Sequence, residues 1–300
     1  MNLYKKFFPN QRLRLKILHL LKPIPDSAMI RVQYFIKTGR FLNLKDPARY
    51  TEKIQWYKLN YKDERIKACS DKYDVRSYVF SKGLGRILNP LYGVWHSLES
   101  FDVLELPQSF MLKATHGSGT NLLVRDKGDY SQDDLRKIVR EWLSHDAACV
   151  GREWGYKGIK PKIIAEKILP RDKRGDLPDY KFFCFSGKVY CLYVMRDYTD
   201  DHARGQLAFF DRDFEPLHVY RKDFRPLVDE VEKPKNFRAM VEIAEILAAE
   251  FPHVRVDLYN IDGDIFFGEM TFYNASGYTL FDPDSFDFQL GQRFELKRIS

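Results

Sequence analysis

Leu13, Ile17, Leu20 and Leu21 fall on one helical face of residues 11–22, with Arg12, Arg14, Lys16 and Lys22 around them. That spacing predicts a basic amphipathic helix, with Asn10 placed to cap it and Pro23 to end it. Residues 51–59 (TEKIQWYKL) predict a second helix, in which Ile54, Trp56, Tyr57 and Leu59 are available for burial. Together they define a helical extension over residues 1–60. Beyond residue 70 the period changes. Apolar, β-branched and aromatic runs predict strands at 110–114, 162–169, 180–185, 188–195, 206–210, 255–260 and 264–272. Ser186-Gly187 and Asp262-Gly263 are turn dipeptides between apolar runs, so two β-hairpins are expected. Helices are predicted at 133–143 and 236–250, the latter with Met240, Ile243, Ala244, Leu247 and Ala248 at helical spacing. Hairpins mixed with helices describe an α+β protein rather than a doubly wound parallel sheet. No internal repeat or low-complexity segment is visible.

The chain of 300 residues exceeds the about 100–150 of a common single core, so one elaborated catalytic domain or two interlocked lobes is expected. No apolar run approaches the ~20 residues of a membrane span and no small-residue cleavage site follows a hydrophobic stretch, which predicts a cytoplasmic protein. Cys69, Cys149, Cys184 and Cys191 show no CxxC spacing and read as structural free thiols. The net charge of +7 favours polyanionic partners, among them nucleotide phosphates, acidic sugars and anionic lipid. Nucleic acid is not expected, because no RNP-like aromatic motif, Cys/His finger or basic-region heptad is present. The basic N-terminal helix is of a kind that lies peripherally on an anionic membrane surface, although such stripes also pack on their own protein.

Three clusters carry candidate chemistry. In residues 110–120 (FMLKATHGSGT) an apolar strand delivers Lys113 into a loop holding His116, Gly117, Ser118 and Gly119. Glycines let backbone N–H groups approach phosphate oxygens, and the lysine adds a point charge. This is not a Walker A loop, since the lysine precedes the glycines; a surface turn with a solvated lysine is the plainer alternative. Residues 163–169 (IIAEKIL) end a strand on Glu166 and Lys167 with Ile168 and Leu169 behind, before a polar loop and Asp179-Tyr180-Lys181. A strand-to-loop hinge of this kind can offer backbone groups to adenine and a carboxylate to ribose; its alternative is a strand end with solvated charges. The third cluster joins Arg255 and Asp257 to Glu269 and Thr271 through the turn at Asp262-Gly263. Paired strands of a hairpin allow Asp257 and Glu269 to project from one face at neighbouring positions, as two oxygen ligands of Mg2+ must. Both sit in largely apolar strands, where an unpaired charge is costly to bury, so a metal or a basic partner is needed. The competing reading is an ion pair of Arg255 with Asp257 or Glu269.

Taken in order, a lysine-plus-glycine loop, a strand ending Ala-Glu-Lys, an Asp-Tyr-Lys segment and a carboxylate-bearing hairpin resemble the ATP-grasp superfamily over residues 71–277. More closely, the chain is similar to the teichuronopeptide-biosynthesis (TupA-like) branch through residues 50–56 (YTEKIQW), 71–76 (DKYDVR), 107–113 (PQSFMLK) and 179–185 (DYKFFCF). The resemblance implies two α+β lobes enclosing Mg-ATP over residues 61–285, preceded by the helical extension and followed by a tail at 286–300. It implies that Lys72 and Lys113 hold the α/β-phosphates, that the His116, Gly117, Ser118 and Gly119 loop closes over them, and that Glu166, Lys167, Ile168 and Leu169 contact adenine. Asp179, with Lys181 in the same segment, would lie near the ribose, Arg196 and Arg255 would meet the γ-phosphate or an acyl phosphate, and Asp257 and Glu269 would bind Mg2+. The superfamily commonly places Asn two residues after the metal-bridging Glu. Here that position is Thr271 and the nearest asparagine is Asn274, so the third metal contact has no fixed candidate beyond Thr271.

What the resemblance implies is an ATP-dependent ligase of bacterial surface-polysaccharide biosynthesis. A carboxylate attacks the γ-phosphate, an acyl phosphate forms, and an amine displaces phosphate; the expected partners are an acidic sugar or glycan and an amino acid or other amine. Two competing enzymes share these residues. A kinase would use the same Mg-ATP site on a hydroxyl. A glycosyltransferase would want a nucleotide-sugar site with an Asp-x-Asp motif, which Asp211-Arg-Asp213 and Asp262-Gly-Asp264 match, although both fall at expected turns. His96, His116 and His202 are candidates for proton transfer, each with a structural alternative. A lipid-surface binding protein rests on the N-terminal helix alone.

Overall fold

A computed structural model describes residues 11–198 and 203–296. His202, Asn10 and the side chains of Arg12, Arg14 and Lys16 lie outside what it describes. Helices α1 (Gln11–Leu20), α2 (Asp26–Thr38), α3 (Tyr50–Asn60), α4 (Glu64–Ser70) and α5 (Val75–Ser81) come first. Strands β1 (Leu91–Trp95), β2 (Phe110–Ala114), β3 (Asn121–Val124) and β4 (Ile163–Glu166) form an antiparallel sheet in the order β1-β4-β2-β3, with α6 (Gln132–Leu143) and α7 (Ala147–Gly151) inserted between β3 and β4.

The larger sheet contains β5 (Asp179–Phe185), β6 (Lys188–Arg196), β7 (Gln206–Asp211), β8 (Pro216–Leu217), β10 (Arg225–Pro226), β11 (His253–Ile261) and β12 (Asp264–Thr271) in the order β10-β7-β6-β5-β11-β12, with β8 alongside β7. Helix α8 (Phe237–Ala248) packs on it, and β9 (Tyr220–Arg221) pairs with β13 (Phe281–Asp282) ahead of α9 (Ser285–Arg293).

Alternation along the strands decides what each face does. On β2, Phe110, Leu112 and Ala114 join Ile163 and Ala165 of β4 and Leu135 and Val139 of α6 in the core of the small lobe. The intervening Met111, Lys113 and Glu166 face the other way, toward the larger sheet. On β5, Phe182 stacks near Phe237 of α8, with ring centroids 6.0 Å apart. Phe183 and Phe185 pack on Tyr50 of α3 at 6.0 and 6.1 Å. Asp179 and Lys181 share the face of Phe183 and Phe185 by period two, so one side of this strand passes from helix packing into a polar wall.

Helix α3 is buried nearly all round, polar Thr51, Glu52, Gln55 and Lys58 included, with Tyr50, Ile54 and Tyr57 fully buried in the core of the larger sheet. The sequence assigned this helix to an extension and α9 to a tail, yet the two are bolted together. Asp287 accepts hydrogen bonds from the Thr51 backbone N–H (3.0 Å) and hydroxyl (2.8 Å), and Lys53 donates to the carbonyls of Gly291 and Phe294, both at 2.8 Å. Those carbonyls close the C-terminal end of α9, where orphan acceptors need donors.

Some expected boundaries shift. The strand expected at 162–169 stops at Glu166. Lys162 turns to Asp74 (2.8 Å) and Asp71 (3.2 Å), and the Lys167 N–H leaves the sheet to donate to Pro90 O at 3.0 Å. Strands β1 and β3 and helices α2, α4 and α5 were not legible. Both Asp-x-Asp matches do turn chemistry: Asp211 accepts from the backbone N–H groups of Asp213 and Glu215, and Asp262 and Gly263 have φ of 52° and 103°, the left-handed pair of a tight hairpin. All four cysteines are buried free thiols. On α1, Leu13 and Leu20 are exposed, while Arg152 ties the chain after the helix by donating to Leu21 O (2.6 Å) and Ile24 O (3.0 Å). Among the described residues, no helix is long and apolar enough to cross a membrane.

Candidate functional site

The polar faces of the two sheets enclose a cavity of about 910 Å³. Its small-sheet wall is built on Lys113, whose ammonium lies 2.6 Å from Glu166 Oε2 across the β2–β4 pairing; Arg76 approaches Glu166 Oε1 at 3.5 Å. Lys72 donates to Gly117 O, which ties α5's leading turn to the glycine loop, and burial lowers the pKa of its ammonium, with Lys113 adding to the fall and Glu269 opposing it. Behind it, Asp71 is fully buried and accepts from Thr115 Oγ1 at 2.6 Å and from the N–H groups of Tyr73 and Asp74, both at 2.9 Å. No hydrogen bond engages the backbone of Ile168 or Leu169 among the described residues, whereas Lys167 uses both its N–H, to Pro90, and its C=O, from Asn89 Nδ2 at 2.6 Å. The hinge therefore keeps unpaired backbone donors and acceptors at the cavity rim.

The large-sheet wall is a charge network in register. Asp257 pairs with Glu269 on one side and Lys181 on the other; Arg255 pairs with Thr271, and Asp179 with Tyr259. A bulge after Asp257 leaves Gly268 as the extra residue on β12. A Cβ there would lie 2.9 Å from Asp257 O, so only glycine lets the strands stay this close while the kink turns Glu269 toward the cavity. Arg255 donates from Nε to Asp257 Oδ1 (2.7 Å) and from Nη2 to Asp257 Oδ2 (2.6 Å), Thr271 Oγ1 (3.0 Å) and Glu269 Oε1 (3.2 Å). Its Nη1 reaches Asn274 Oδ1 at 2.5 Å and the Tyr193 hydroxyl at 3.3 Å. Lys181 lies 2.5 Å from Asp257 Oδ2 and also pairs with Asp179.

These fields set the protonation states. Burial alone would raise the Glu269 carboxyl, but Lys181, Arg255 and Lys72 outweigh it and hold the pKa at about 2. Burial raises Asp179, where Lys181 opposes and Asp257 reinforces the shift. Lys181 is driven well above its ordinary value because Asp179 and Asp257 overcome desolvation. The ion pairs that the sequence offered as an alternative to metal binding are thus present, and Asp257, 1% exposed, is saturated by cations. Glu269 is not: its Oε2 has no hydrogen-bond partner among the described residues, and its side chain is 41% exposed.

Does this set fit Mg2+? Among the described residues no group of three or more His, Cys, Asp or Glu forms a closed metal cage. Two adjacent carboxylates with one oxygen unpartnered fit a hard cation that brings its remaining oxygens from a bound phosphate and water, which is how Mg2+ usually enters nucleotide sites. Thr271 is occupied between Arg255 and Glu269, donating to Glu269 Oε1 at 3.1 Å, and Asn274 is turned onto the guanidinium instead of beside Glu269.

Most sequence-predicted residues meet on this cavity: Lys72, Lys113, Ser118, Gly119, the hinge from Glu166 to Leu169, Asp179, Lys181, Arg255, Asp257, Glu269 and Thr271 all line it. Three do not. Arg196 follows Tyr193 and Met195, which face the cavity, so alternation turns it away, and it approaches Asp172 Oδ2 at 3.4 Å. Gly117 contributes only its carbonyl to Lys72. His116 is buried with Nε2 3.1 Å from His145 O, and burial lowers its pKa. His96 is exposed beyond β1 and does not line the cavity. The structure adds Tyr193, Arg221, Glu153, Tyr156 and Ser276, which no local sequence pattern singled out.

A family model described as TupA-like ATPgrasp matches residues 52–295. No curated protein matches the chain. Among solved structures, an L-amino acid ligase from Bacillus licheniformis is 17% identical with a TM-score of 0.45, over 78% of this chain and 51% of that one. D-alanine–D-alanine ligase from Bacillus anthracis complexed with ATP is 13% identical with a TM-score of 0.38, over 68% and 53%. The ATP-grasp ligase PsnB complexed with a minimal precursor, Mg and ADP is 12% identical with a TM-score of 0.39, over 74% and 57%. In each case the match spans little more than half of the solved protein.

Proposed function

Because the chain belongs to the TupA-like ATP-grasp family and has its α+β ATP-grasp fold, we propose that it is an ATP-dependent ligase that activates a carboxylate and joins it to an amine. One observation carries the reading: Lys113 and Glu166 on one wall of a single cavity face Lys181, Arg255, Asp257 and Glu269 on the other. In this reading Lys72 and Lys113 hold the phosphates of ATP, the unpaired backbone of Ile168 and Leu169 meets the adenine edge, and Asp179 stands toward the ribose. Glu269, through its unpartnered oxygen, would hold Mg2+, with Asp257 beside it anchoring Arg255 and Lys181; the metal when bound neutralises charge on the phosphates.

The chemistry asked of the protein is positioning and electrostatics. A substrate carboxylate oxygen bonds to the γ-phosphorus as ADP leaves, giving an acyl phosphate. Arg255 and Lys181 offset the charge that spreads over the transferred group, and they are fixed beforehand by Asp257, Asn274 and Asp179 so that little reorganisation is needed. The amine nitrogen then bonds to the acyl carbon as the C–O bond to phosphate breaks, and the proton that the nitrogen sheds leaves with the phosphate. An acidic sugar of a surface polysaccharide is the proposed carboxylate, supported by the family resemblance and the charge of +7. Exposed Leu13 and Leu20 on α1 support a peripheral contact with the inner membrane surface.

Thermal shift and calorimetry with ATP, ADP and a UDP-sugar, each with and without Mg2+, test the reading. Mg-dependent stabilisation by ATP or ADP is expected, followed by phosphate release that needs both a uronic acid and an amine. A response to the UDP-sugar alone would point to glycosyl transfer, and a stable phosphoester formed without amine would make the enzyme a kinase.

A further inference from the structure

The same cavity is also lined by Glu153, Tyr156 and Ser276, which the nucleotide reading does not use. Glu153 follows the left-handed residue Arg152 (φ 54°) that closes α7. The Arg152 guanidinium points away from it, spent on the carbonyls of Leu21, Lys22 and Ile24 and on Asp26. Glu153's carboxylate folds over Gly151: a Cβ there would sit 2.5 Å from Glu153 Oε1 and 2.7 Å from Ser276 Oγ. Yet the carboxylate has no hydrogen-bond donor and no cation within salt-bridge distance among the described residues. The nearby Lys58, 1% exposed, spends its ammonium on Gly151 O (2.9 Å), Ser276 O (2.7 Å), Ser276 Oγ (2.9 Å) and Gln55 Oε1 (3.1 Å).

Tyr156 connects Glu153 to the charge network. Burial raises its phenol, Glu153 and Glu269 raise it further, and Arg255 opposes them, so the ring lies within the fields of both carboxylates. A carboxylate that lines a cavity without a hydrogen bond or ion pair of its own, offset only by the field of the buried Lys58, is a site for a cation.

We propose that Glu153, with Tyr156 beside it, is the subsite for the ammonium group of the amine substrate. This rests on the ligase reading for the fate of the amine, but the binding claim stands by itself. The subsite selects primary, positively charged amines over neutral isosteres, and it orients them toward Arg255 and Asn274, where an acyl phosphate would lie.

Calorimetry on the full chain with L-alaninamide and L-lactamide, which differ in carrying an ammonium or a hydroxyl, reads the subsite. At neutral pH and low salt the wild-type protein is expected to bind L-alaninamide at least tenfold tighter, and Glu153→Gln to lose that preference with an unchanged Tm. Equal affinities in the wild type, or a preference that survives in Glu153→Gln, would overturn the proposal; the wild-type comparison decides even if the variant does not fold. Mg-ATP thermal shifts on the same samples separate the two readings. Nucleotide binding without ammonium preference removes the subsite and keeps the ligase reading, whereas ammonium preference without nucleotide binding does the reverse.

Discussion

Asp257 stands directly opposite Glu269 across the β11–β12 hairpin, and the single guanidinium of Arg255 donates to both. The two carboxylates nevertheless have different roles in the fold. Asp257 is buried and saturated, so it acts as the anchor that fixes Arg255 and Lys181; Glu269 is half exposed and keeps an oxygen for what enters the cavity.

Replacing Arg255 with Met should therefore cost stability more than any other change at the site. It would leave Asp257 with Lys181 alone and Asn274 Oδ1 without its donor. Breaking one partner out of a buried ion pair costs about 3–5 kcal/mol. Urea unfolding of the variant should show a loss of that order, and an unmoved midpoint would mean that the guanidinium is not what compensates Asp257.

Glu269→Gln should separate chemistry from folding. The side chain is 41% exposed, and its contacts with Arg255 at 3.2 Å and Thr271 at 3.1 Å both go to Oε1, which a glutamine carbonyl can keep, so the Tm is expected to stay close to that of the wild type. ATP-dependent turnover should fall on the order of 100-fold or more, as when a charge-stabilising group at a phosphoryl-transfer centre is lost. Near-normal phosphate release would sink the assignment of Glu269 to the metal.

For Lys113→Ala the readout is binding. Glu166 would keep only Arg76, at 3.5 Å, and the cavity would lose a cation from its small-sheet wall. Thermal stabilisation by Mg-ATP should largely disappear while the unliganded Tm holds; a full ATP response in the variant would remove Lys113 from the nucleotide site.

His253 gives the pH dependence a sign. Its ring is fully buried; because Cys184 O can only accept, Nδ1–H must donate to it (2.9 Å), leaving Nε2 to accept the Tyr50 hydroxyl at 2.9 Å. Burial pushes the pKa down to about 3 from an ordinary 6.5. Between those values the unfolded chain binds a proton that the folded chain refuses, so stability falls as pH drops below 6.5, by up to ~1.4 kcal/mol per unit. Urea midpoints between pH 7 and 5 should show this slope, and His253→Gln should flatten it. A slope of the same size in the variant would assign the effect to other groups.

The hairpin site was legible because its signals are local. The Asp262-Gly263 turn fixes the pairing, period two puts Arg255, Asp257 and Tyr259 on one face, and Lys113 likewise alternates with core residues of β2. Glu153 and Lys58 were not legible, since what defines them is long-range. Lys58 is held by carbonyls 93 and 218 residues away, and Glu153 is notable for partners it lacks. Arg196 misled because a cationic residue at a strand end carries no sign of which face it takes. The N-terminal helices read as an appendage for a similar reason, as nothing in residues 50–60 announces that Asp287 will cap them.

The face of β5 that carries Phe183 and Phe185 into Tyr50 also carries Asp179 and Lys181 into the cavity. A slip of one residue would push both charges into the apolar layer beneath α8 and strand the phenylalanines on the opposite side from α3. The ionic cluster thereby acts as a proofreader of strand pairing. A chain that mispairs β5 incurs the cost of burying charge as well as that of lost packing, so the assembly of the larger sheet and the assembly of the site are one event.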